Sequence, residues 1–125
     1  MKVSELIGAK LDYWVAMALG DRLARVVGAE EHERCETRFG EQWPWNRFMP
    51  SRAWMDGGPI FEREGFGICK FHEPTDGPIP EGGEWCALWR DDSKRADGPT
   101  PLIAGMRLFV MSKYGEEVPD AGEEE

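Results

Sequence analysis

His32-x-x-Cys35 and Cys69-x-x-His72 together offer two histidines and two cysteines, the ligand count of a structural zinc site. Their setting argues against one. If Cys69 to His72 is a strand, residues three apart point to opposite faces, and the chain has no CxxC knuckle. No metal and no other cofactor is therefore expected. No Gly-x-Ser-x-Gly or paired metal motif occurs, and both histidines fall in segments expected to be exposed, so no catalytic residue is assigned. Gly57-Gly58-Pro59 lacks the Gly-x-x-x-x-Gly-Lys pattern and the preceding strand of a phosphate loop. It is read as a turn.

What remains is recognition chemistry. Tyr13, Trp54, Gly57, Gly58, Glu62 and Arg107 could line a pocket in which aromatic rings stack on a base and a guanidinium holds a phosphate. Trp43, Trp45 and Phe48 crowd around Pro44 in a stretch with little periodicity. Such rings plug a core edge, anchor a partner or stack on a ligand, and aromatics are enriched at interfaces. The leading expectation is a non-enzymatic binding module acting on another protein or on a second copy of itself, with a homodimer contact near residues 43–48 or on an exposed face of the hairpin. The alternative is a binder of, or enzyme on, a small nucleotide-like ligand. Acidic mimicry of nucleic acid is a third reading.

Composition bounds these choices. A chain of 125 residues holds one hydrophobic core, and 41% hydrophobic residues with six tryptophans supply the apolar surface that ordering requires. The net charge is −9, but the last ten residues carry six acids and no bases, leaving the body at −3. A single domain over 1–115 and an acidic, disordered tail over 116–125 follow. With no basic footprint, direct nucleic-acid binding is not expected. Cys35, Cys69 and Cys86 leave an odd thiol however they pair, which suits a reducing compartment. Glu5, Lys10 and Asp12 interrupt any leader-like apolar run, and no stretch reaches the length that spans a bilayer. A cytoplasmic protein, away from membranes, is expected.

The elements that must position these residues read as α+β. Leu11, Trp14, Val15, Ala18 and Leu19 make the stripe of a first amphipathic helix, with Asp12 off that stripe and Ser4 as a capping candidate. Residues 21–27 could resume that helix up to Gly28. Residues 29–50 read as a long surface excursion, partly helical at its start. Strands are expected around Phe66 to Phe71 and Glu84 to Arg90, joined by a loop from Glu73 to Gly83 with three prolines and three glycines. The last helix is the clearest element: Thr100 caps it, Pro101 opens it, and Gly115 ends it, with Leu102, Ile103, Met106, Phe109 and Val110 as its apolar face. Two helices packed on a small antiparallel hairpin sheet give the fold.

Four pieces in order, "LDYWVA" from Leu11, "GGPIFEREG" from Gly57, "GPTPLIAGMR" from Gly98 and "VMSKYGEEV" from Val110, resemble the NinX-like family of small phage and prophage proteins. Trp54 and Glu62-Arg63-Glu64 belong to the same likeness. Where the family usually shows a Ser-Pro-Ser-type stretch before the middle tryptophan, this chain reads Met49-Pro50-Ser51-Arg52. The resemblance implies phage origin, and with it a host protein as a possible partner. It carries over no catalytic residue.

Overall fold

Helix α3 (Pro101–Tyr114) is built as its sequence dictates. In the computed structural model, which describes residues 1–20, 23–29, 32–38, 40–70, 83–89 and 93–119, the Thr100 hydroxyl accepts the Ile103 N–H at 3.1 Å. Pro101 fills the first turn, where a missing N–H costs nothing. Leu102, Met106, Phe109 and Val110 are buried, but so are Ala104, Gly105, Arg107 and Leu108. A helix buried on nearly all sides has neighbours on each side. Helix α1 (Gly8–Ala18) packs against one flank of α3, and a sheet packs against another.

That sheet is antiparallel, in the order β4 (Gly67–Lys70), β5 (Trp85–Leu88), β6 (Arg95–Gly98). Ala87 and Ala96 face Ala104 and Leu108 of α3 in a cluster of small side chains that lets the helix lie close. The two strands expected from the sequence are present. The third strand, β6, was not anticipated, because four residues with two charges carry no apolar alternation. The loop expected over 73–83 lies outside the described residues apart from Gly83, and so does His72.

A second sheet corrects the reading of the first half. Strands β1 (Arg25–Val27), β2 (Arg34–Thr37) and β3 (Asn46–Arg47) form an antiparallel sheet in that order. Residues 25–27 are thus strand and do not extend α1, and the excursion 29–50 carries two strands. Strands of two to four residues are too short to display a period of two, and charge hides them further. Glu36 accepts Arg25 Nη2 at 2.7 Å and Arg34 Nε at 2.9 Å, so cross-strand ion pairing ties the sheet. Those two guanidiniums hold the Glu36 carboxyl below its usual range. The sheet packs on α1, and Cys35 enters the main core with Leu6, Leu11, Trp14, Val15, Met106 and Phe109.

Gly57-Gly58-Pro59 is not a turn. It lies inside α2 (Trp54–Glu64), which ends at the left-handed Gly65. Asp56 accepts the Met49 N–H at 2.8 Å and, as an acid in the first turn, favours this helix start. The first residues also meet the segment that follows α3. Val3 N–H donates to Glu116 O at 2.9 Å and Val118 N–H to Met1 O at 2.9 Å. Val3 and Val118 both enter the core, so the folded unit takes in residues 116–118. Residues 120–125, the rest of the acidic tail, lie outside the described residues.

Candidate functional site

Asp12 lies on α1 within a run of buried residues from Leu11 to Ala16. Expected off the apolar stripe, it is 0% exposed, because α1 is covered by α3, by the first sheet and by the backbone at Ser51. Its Oδ1 accepts the Ser51 N–H at 2.8 Å. Its Oδ2 makes no hydrogen bond and stands 3.5 Å from Arg52 Nη2 as a loose ion pair. Burial raises the Asp12 pKa above its ordinary 3.8, while Ser51 and the Arg52 cation pull it back. The Ser51 hydroxyl is buried and makes no well-formed hydrogen bond, although it lies near enough to help the carboxylate.

Arg52 is therefore anchored from behind and open in front, with its side chain 46% exposed. Ser51 and Arg52 from the approach to α2 and Trp54 from its first turn meet the Thr100 cap and Pro101, Leu102 and Ile103 of α3 across a groove of about 330 Å³. Among the described residues Arg52 is the one charged side chain in that lining. Trp54 is 54% exposed and Met55, beside it, 84% exposed. Trp54 is propped edge-on by Phe61, centroids 5.4 Å apart. A larger hollow of about 590 Å³ is lined by Lys2, Ser4, Met111, Tyr114, Glu116 and Glu117. One cation facing two carboxylates there offers no comparable single-sign anchor, and the smaller groove is the candidate site.

Of the six residues expected to bind a ligand, only Trp54 lines the groove. Tyr13 packs in the core against Trp14. Gly57 is buried, Gly58 half-buried and Glu62 exposed on α2. Arg107 is buried and donates to Leu6 O at 3.0 Å and to Asp97 O at 2.8 Å, a clamp between α3, β6 and the N-terminal turn. Burial lowers its pKa and Asp97 opposes the shift. The expected contact trio also divides. Phe48 packs against the core, the Trp45 ring is approached by the guanidiniums of Arg25 and Arg38 at 3.8 and 4.3 Å from its centroid, and Trp43 is 54% exposed. Asp12, Ser51 and Arg52 were missed. The one signal for them was an acid set within an apolar helical run.

Cys35 lies on β2 and Cys69 on β4, in different sheets. Among the described residues no cluster of three or more His, Cys, Asp or Glu could hold a metal ion, and no helix is long and apolar enough to cross a membrane.

The fold and groove define a small α+β protein with paired central helices between two three-stranded sheets and a cation-anchored apolar groove at its surface. Its family is a phage one: residues 2–113 match the family described as Bacteriophage P22, NinX, and the chain belongs to that family. No curated protein matches it.

The buried carboxylate gives a testable pH dependence. An acid whose folded pKa lies above its unfolded value favours folding most when protonated, and that contribution is lost as pH rises through the folded pKa. Asp12→Asn keeps the Oδ1 acceptor for Ser51 and removes the titration. Glu36 has the opposite sign, favouring folding above its unfolded pKa, but is common to both proteins and cancels. Relative to the parent, Asp12→Asn should therefore lose stability between about pH 7 and about pH 4.5. Urea midpoints at both values check this; a difference independent of pH would refute it.

Proposed function

We propose that this chain is a non-enzymatic phage accessory module that works by binding a protein partner through Trp54, Met55 and the groove beside them. Membership of a phage family supports the setting. The observation that carries the binding reading is the exposure of Trp54 and Met55 side by side next to a half-exposed Arg52. Tryptophan, methionine and arginine are the types enriched at interface centres, and tryptophan and arginine dominate hot spots. A guanidinium that is the one charged group among the described residues of the groove complements a carboxylate. The partner thus presents an apolar segment that includes one acidic side chain. The homodimer expected at residues 43–48 is less well supplied, because Trp45 and Phe48 have internal partners.

A photo-crosslinking residue at Met55 in infected cells tests the proposal, with the same residue at the exposed Glu5 as control. The expected product is one protein, linked from position 55 only, through an apolar segment bearing Asp or Glu, and lost in Arg52→Glu. Equal products from both positions would overturn the site. A second copy as the product would replace the partner by self-association. A small molecule retained in native mass spectrometry and released by Trp54→Ala would favour the nucleotide-like ligand instead.

A further inference from the structure

Strands β4 and β5 pair in a register that sets Cys69 directly opposite Cys86. Residues directly opposite in an antiparallel pair share a face, with Cβ atoms about 4.5 to 5.5 Å apart. A disulfide needs about 3.5 to 4.5 Å, so closure demands a small approach of one strand. β4 can supply it, being an edge strand of its sheet among the described residues. The two thiols are dissimilar: Cys69 is exposed and Cys86 buried. Burial pushes the Cys86 pKa up to about 11, and the neighbouring Cys69 thiol, within hydrogen-bonding reach, adds to the rise. On its other side Cys86 faces Asp97 of β6, whose carboxylate is held by Arg95 at 3.0 Å. The third cysteine, Cys35, sits buried in the other sheet and is an internal spectator.

We propose that Cys69 and Cys86 are a cross-strand dithiol that closes to an intramolecular disulfide on exposure to a low-molecular-weight disulfide, stapling edge strand β4 to β5. Cys69 gives its proton to solvent and attacks one sulfur of the oxidant, whose S–S bond breaks to release a first thiolate that takes up a proton. The Cys86 sulfur then attacks Cys69 in the mixed disulfide, and its proton passes to the second departing thiolate. One disulfide is reduced to two thiols and two protein thiols become one disulfide. Cys69 is the entry point because it is the exposed member. Cys86 is the resolving member.

The test treats the reduced full chain with oxidised glutathione and follows intact mass and peptide maps. The expected product has lost two hydrogens, links Cys69 to Cys86, leaves Cys35 open to alkylation, returns to the dithiol with reductant, and has a higher urea midpoint than the reduced form. Cys35→Ser should react identically. Cys86→Ser should stop as a glutathione adduct on Cys69. A lasting adduct on Cys69 of the parent chain, a linkage through Cys35, or a Cys69–Cys69 dimer as the main product would each overturn the proposal.

Discussion

Phe109→Ala should destabilise the fold by about 3 to 5 kcal/mol, the cost typical of deleting a large aromatic from a closed core. Phe109 is 0% exposed and belongs to the cluster that joins α1, α3 and the first sheet. Phe66, just before β4, approaches its ring at 6.5 Å between centroids. The vacated space therefore borders elements from both halves of the molecule, which cannot collapse into it together without shifting one sheet relative to the other. Met55→Ala, at a side chain 84% exposed, should by contrast stay within about 0.5 kcal/mol of the parent. Urea unfolding of both variants measures the contrast. A loss below about 1 kcal/mol at Phe109 would mean that the core closes differently.

The same residues explain how far the sequence can be read. α3 is legible because its signals are local: Pro101 opens it, and Thr100 and Gly115 stand directly at its two ends. β4 is legible because Phe66 and Ile68 alternate with other residues, and β5 because it is a short apolar run beside a loop rich in proline and glycine. The first sheet is held by Glu36 between two arginines, so its strands look like a charged loop, and only pairing across the sheet shows why those charges are there. The site is harder still. Trp54 could be singled out as a large aromatic in the family-like middle segment, but the carboxylate that anchors Arg52 comes from Asp12, far away along the chain. No spacing rule connects them. Arg107 fails in the opposite sense: its type suggested a ligand cation, and its surroundings make it a donor to two backbone carbonyls.

Gly57→Ala should destabilise the chain by about 2 kcal/mol, although helix propensity alone favours alanine by about 1 kcal/mol. The glycine lies within α2 with no positive φ, so backbone freedom is not its reason. Closeness is. A Cβ there would run into the carbonyl oxygen of Pro50 and meet Leu102 Cδ2 at 2.8 Å. The leucine can turn aside. The carbonyl cannot, since the next residue, Ser51, is fixed by its N–H on Asp12, and Ala53 N–H is bonded to Met49 O at 2.7 Å. α2 must move instead, and overpacking of this kind costs about 1 to 3 kcal/mol or more, outweighing the propensity gain. Gly58→Ala is the control, because its Cβ would meet Trp54 Cε3 at an ordinary 3.6 Å. The crowding of a residue before Pro59 in helical conformation offsets its propensity gain, leaving a change within about 1 kcal/mol. A turn at these glycines would reverse the comparison or erase it, so a Gly57→Ala variant more stable than the parent would refute the close packing. The displacement also reaches the groove. Trp54 and Met55 ride on the first turn of α2 while Arg52 stays tied to Asp12, so a folded Gly57→Ala chain should lose the crosslink from position 55 even where Gly58→Ala keeps it.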